Sequence, residues 1–126
     1  MRLVRFLPII LLFVPALAAA QSMNAEMFYQ RSNKLMSKGP MALFSRGEIK
    51  VLMGEAERAI QAARARRLAE VAAGRPPRSC PPKGPQPMNS SDFMKRLGAI
   101  PAAERAKIDM TEAMTRITAA RFPCPR

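Results

Sequence analysis

The chain contains no histidine, and that absence excludes more chemistry than any other feature of it. Without an imidazole there is no Ser-His or Cys-His nucleophile pair and no histidine metal ligand. Carboxylate pairs are present, but each has a simpler use. Glu55 and Glu57 project about 160° apart on an ideal helix, too far to share one substrate. Asp109 and Glu112 have the spacing of a helix start, where the macrodipole favours negative charge. We therefore expect a non-enzymatic protein without metal or cofactor. Tryptophan is missing too, there is one tyrosine, and two of the six phenylalanines lie in the first twenty residues. Cysteine is limited to Cys80 and Cys124, and no Cys-x-x-Cys pair suggests redox or metal chemistry.

Long apolar runs are limited to one, at the start. Arg2 and Arg5 precede the uncharged stretch Phe6 to Pro15, and small residues follow at Ala16, Ala18, Ala19 and Ala20. This is the pattern of an export signal, with small-x-small sites ending at Ala18 and Ala20, and we favour cleavage before Gln21. A membrane span needs about 20 apolar residues, whereas Phe6 to Ala20 supplies fifteen, two of them proline. An uncleaved anchor is the alternative. The expected organisation is a signal peptide over 1–20 and one small domain over 21–126, periplasmic or secreted. In that oxidising compartment the expected state of Cys80 and Cys124 is one structural disulfide, with intermolecular pairing or free thiols as the alternatives.

Acidic residues are scarce. Two of the 21 basic residues leave with the signal and all nine acidic ones stay, which gives the mature chain a net charge of +10. A field of that sign favours acidic proteins, lipid headgroups or wall polymers. Nucleic acid shares the sign but not the compartment. The plainer explanation is solubility, since net charge bears on solubility and association rate rather than on fold.

Strand alternation is missing as well, and the chain reads as all-α. A first helix is expected over about residues 24–36, capped at Ser22 or Asn24 and ended by Gly39-Pro40. A second starts at a capping box, Ser45 with Glu48, and carries Ile49, Leu52, Met53, Ala56, Ile60 and Ala63 at helical spacing. Alanines 56, 59 and 63 leave room for a close neighbour. Arg67 falls near the centre of that apolar face, so either the helix projects there or the arginine lays its stem along the core. Gly74 and Pro76-Pro77 stop the helix. A stiff proline-rich connector, Arg75 to Pro87, is expected on the surface. A short helix follows a Ser90-Ser91 cap and breaks at Gly98 and Ile100-Pro101, then a turn of helix starts at Pro101. The last helix, capped by Asp109, places Met110, Ala113, Met114 and Ile117 on one face.

The remaining candidate site is the group Arg58, Arg64, Arg66, Arg67, Arg75 and Arg78, near the end of the long helix and the connector. Such a group suits bidentate pairing with an acidic protein surface, and equally a solvated helix end that favours cations. The ten methionines suit a flexible binding surface, though most stand at core spacing.

The segment from Cys80-Pro81-Pro82, through a short capped helix and Ile100-Pro101-Ala102-Ala103-Glu104-Arg105, to Ala119-Ala120-Arg121-Phe122-Pro123-Cys124 resembles the C-terminal half of the Rap/Tai family. Its members are small helical periplasmic proteins named for immunity to peptidoglycan amidase effectors of type VI secretion. The two cysteines, Phe122 and Pro123 carry the resemblance over roughly the last 45 residues. It implies a helical bundle and a protein partner, a cell-wall amidase effector, blocked by stoichiometric occlusion. The chain departs from the family by lacking further cysteines in its N-terminal half. The alternative class is an envelope-associated structural or stress protein whose basic face binds anionic lipid or polymer. A homodimer is compatible with the sequence.

Overall fold

A computed structural model describes residues 22–126, and the expected signal peptide lies outside them. The described chain forms α1 (Ala25–Ser37), a 3-10 helix (Gly39–Phe44), α2 (Arg46–Ala72), α3 (Ser90–Ala99), α4 (Ala102–Arg105) and α5 (Met110–Arg121). It is a small helical domain with one disulfide, Cys80–Cys124. No helix among the described residues is long and apolar enough to cross a membrane.

Local chemistry explains most element ends. Asn24 caps α1, its side-chain oxygen accepting from the Glu26 and Met27 amides. Asp109 caps α5 by accepting from the Glu112 amide at 2.8 Å. Gly74, at φ 72°, ends α2 in a left-handed turn that a side chain would strain. Its amide donates to Val71 O and the Arg75 amide to Glu70 O, two helix-end carbonyls satisfied by the reversal. Two expected starts are corrected. Asn89, not the Ser90-Ser91 pair, caps α3, because the oxygen must sit outside the helix to face its amides. Ser45 makes no cap bond to α2. Its hydroxyl instead accepts from Lys38 Nζ, and Glu48 turns away to a two-pronged pair with Arg31, 2.7 Å on each arm.

Gly39-Pro40 does not simply punctuate α1, since the chain continues there as the 3-10 helix. Nor does Gly98 break α3, which runs on to Ala99. That glycine has another use. A Cβ at position 98 would stand 3.0 Å from the Tyr29 hydroxyl, so its absence lets the Tyr29 ring lie against α3.

The core is built where α2 crosses α5, its main neighbour. Ala59 and Ala113 are both fully buried, and their small side chains permit the close approach expected of the alanine face. Met110, Ala113, Met114 and Ile117 all face inward, as their spacing predicts. Phe28 joins them with Phe93 set edge-on at 5.9 Å, an arrangement worth about 0.5–1.5 kcal/mol beyond area burial.

The buried strip of α2 differs from the expected one. Leu52, Glu55 and Ala59 are its buried residues, centred roughly 75° around the helix from the predicted apolar stripe. Met53 is 67% and Ile60 42% exposed. Glu55 explains the rotation, because its carboxylate accepts from the Met23 amide at 2.8 Å and from Arg58. Burial pushes its pKa up, but those bonds and the nearby arginine charges outweigh burial and leave it below the ordinary carboxylate value. Around the same end of the bundle, Met110 donates to Met23 O at 2.8 Å and Ala25 to Ile108 O at 2.9 Å, joining the start of α1 to the start of α5.

Candidate functional site

Turning α2 towards Leu52 and Glu55 leaves its apolar stripe beside a groove. This groove, about 1180 Å³ in volume, lies between α2 and the connector, and α1, α3 and α5 also line it. Buried Phe28, Leu52 and Met114 reach it from the core. Above them come Met36, Met53, Ile60, Met88, Phe93, Met94 and Phe122. Methionine is unbranched and polarizable, so a surface rich in it adapts to partners of varied shape. The sequence assigned most methionines to the core. The structure divides them, with Met110 and Met114 buried and Met36 and Met53 half or more exposed.

The connector cannot hold itself by backbone hydrogen bonds, because Pro81, Pro82, Pro85 and Pro87 have no N–H. It is tied to α5 and the segment after it instead. The Cys80 amide donates to Phe122 O at 2.9 Å beside the disulfide. Arg121 donates to Gln86 O at 3.1 Å and to Pro87 O at 3.0 Å. Arg78 reaches Glu112 with both arms at 2.9 Å. These contacts turn an extended, donor-poor segment into a groove wall.

The six arginines expected to form one partner-binding group do not stay together. Arg64, Arg66, Arg67 and Arg78 line the groove, whereas Arg58 and Arg75 do not. Arg58 sits on another side of α2 and pairs with buried Glu55. Arg78 serves the wall through its pair with Glu112. Arg67 is half-buried in the groove, while Leu68 and Val71 on the same last turns of α2 are half exposed. Lys83 and Arg121 were missed as groove residues. Their only sequence signal was proximity to the two cysteines.

The Arg78–Glu112 pair has a testable pH signature. The hydrogen bond from Arg78 holds the Glu112 carboxyl below its ordinary value of 4.5, with burial opposing and Arg116 assisting. A lowered folded-state pKa stabilises the fold fully above the unfolded value, and that contribution is lost as pH falls through the folded one. Glu112→Gln should therefore lower stability at pH 7 by no more than about 1 kcal/mol, since Arg78 is half exposed and screened. The difference from wild type should shrink below pH 4.5, as urea titrations across pH 3–7 would measure.

Two groove hydroxyls are already committed within the helix. Thr115 donates to Thr111 O at 2.9 Å and Thr118 to Met114 O at 2.8 Å. The groove offers adaptable apolar surface and fixed positive charge, which suits recognition. Compared with family models, with curated proteins and with solved structures, the chain matches none.

Proposed function

We propose that the protein is a non-enzymatic binding protein of the cell envelope that holds a segment of a protein partner in the groove between α2 and the connector. The observation that carries this reading is the groove itself, an open methionine- and phenylalanine-lined trough with arginines on α2. Helix-in-groove recognition uses surfaces of this kind. The resemblance to the Rap/Tai family supplies an identity for the partner, a peptidoglycan amidase effector occluded by one-to-one binding.

A second reading has its own observation. Arg64, Arg66 and Arg75 are exposed and make no ion pair among the described residues, which leaves their charge free for anionic lipid or wall polymer.

The deciding experiment mixes the oxidised mature domain with purified amidase effectors encoded beside its gene. The expected result is a one-to-one complex retained at about 0.3 M salt, where surface attraction is largely screened, with loss of amidase activity. Met53→Glu, at a side chain 67% exposed, should abolish the complex without unfolding the protein. Binding only to anionic material, released at that salt, would replace this proposal with the second reading.

A further inference from the structure

We infer that the groove recognises an amphipathic helix with acidic residues gathered at one end, laid along α2 with that end beside Arg64 and Arg67. This inference rests on the reading of the groove as a protein-binding surface and adds the chemistry and placement of the occupant.

The groove is polarised along its length. On α2, Ile49, Met53 and Ile60 line it first, and Arg64, Arg66 and Arg67 follow. From Ile49 to Arg67 the stripe extends about 27 Å at 1.5 Å per residue, the length of roughly 18 helical residues. Six cationic side chains line the whole groove against three carboxylates, and one of those carboxylates, Glu112, is already held by Arg78. Of the rest, Glu57 lies in the apolar half of α2, and beyond it Arg64, Arg66 and Arg67 outnumber Glu70, with Lys83 added by the connector and Arg121 by α5, so a complementary occupant is apolar at one end and acidic at the other.

The walls decide the occupant's backbone form. Strand addition needs a free edge of alternating donors and acceptors. The connector wall has proline at 81, 82, 85 and 87, and the other walls are helices, so no such edge is offered among the described residues. A helix satisfies its own backbone and needs only side-chain contacts, with anchors recurring at i, i+3, i+4 and i+7. A second copy of this chain is disfavoured by self-repulsion at a mature net charge of +10.

The test uses two fluorescein-labelled peptides of about 18 residues with the same leucine face. One carries three glutamates in its final third and the other has lysines in their places. Anisotropy is measured with the oxidised mature protein, with Met53→Glu and with the double variant Arg64→Glu/Arg67→Glu. Wild type should bind the glutamate peptide at least about tenfold more tightly than the lysine peptide, as charge complementarity requires. The double variant should reverse that preference, and Met53→Glu should weaken both. Equal binding of the two peptides by wild type, or an unchanged preference in the double variant, would overturn the inference. If the effector complex still depends on Met53 while the peptides show no charge preference, the protein-binding reading survives and only this occupant fails. If Met53→Glu leaves that complex intact, the groove is not the docking surface and both fail. Displacement of the glutamate peptide by vesicles rich in anionic lipid, with vesicle binding lost in the double variant, would assign the arginine end to lipid and also overturn the inference.

Discussion

Replacing Arg105 by methionine is expected to destabilise the domain by about 3 kcal/mol, the largest effect we anticipate from a single non-cysteine side chain. Arg105 is 5% exposed. It donates to the Glu26 carboxylate at 2.6 Å, to Gly98 O at 3.2 Å, and to Ile100 O, with Leu97 O at the limit of bonding distance. Its guanidinium also lies 4.0 Å from the centre of the Tyr29 ring. One planar, permanently charged group thus serves α1 and the carbonyls at the end of α3 together, a task that suits the arginine fork better than an ammonium. Methionine retains much of the apolar stem but leaves the Gly98 and Ile100 carbonyls without this donor, each at a cost of about 1–3 kcal/mol. The Glu26 carboxylate can turn to water, so little of the penalty falls on it. In thermal unfolding the change should lower the Tm by about 15 °C. Arg105→Lys should recover part of that loss, because one ammonium can keep Glu26 but not all the carbonyls. A methionine variant within about 1 kcal/mol of wild type would mean that water replaces the arginine at the end of α3.

The disulfide is the second large term. Cys80→Ser/Cys124→Ser, or reduction of the native protein, should lower stability by up to about 4 kcal/mol, the loop-entropy estimate for this separation. That term acts on the unfolded chain, so the native ties between the connector and α5, through Arg121 and the Arg78–Glu112 pair, do not replace it. What those ties govern is the shape of the folded form. The reduced protein that remains folded should keep its connector wall and still bind in the groove, although it unfolds at lower urea. Urea titrations with and without reductant would measure the stability loss, and peptide anisotropy in dilute urea would separate it from binding. An unchanged urea midpoint on reduction would show that the core alone limits unfolding.

These two expectations differ in how visible their causes are in sequence. Two cysteines in a chain with an export-like start already suggest a staple, and the structure contains that disulfide. Arg105 gave no such sign. Its partners lie from 5 to 79 residues away, so no local pattern marks it as buried. Glu55 is similar. In sequence it is a helix carboxylate that cannot share a substrate with Glu57, and its burial goes with a bond from the Met23 amide, 32 residues away, beside the local pair with Arg58. The arginine group shows the same limit. Sequence proximity placed six arginines together, but helical rotation sends Arg58 to another side of α2, and ion pairing ties Arg78 to α5.

The helical class, the cap at Asp109, the stop at Gly74 and the inward face Met110 to Ile117 were legible in the sequence, which also narrowed the first cap to Ser22 or Asn24 and favoured pairing of the two cysteines. The signals for the helices and their ends act within about four residues of the chain, the range of a helical hydrogen bond or a cap. Which strip of α2 is buried, which methionines remain outside, and that Lys83 and Arg121 share a groove with Arg64 and Arg67 emerge from the packing of the helices. Those outcomes depend on contacts between residues distant in sequence. There, one buried carboxylate or guanidinium that finds its partners can outweigh the hydrophobic preference of a whole helix face.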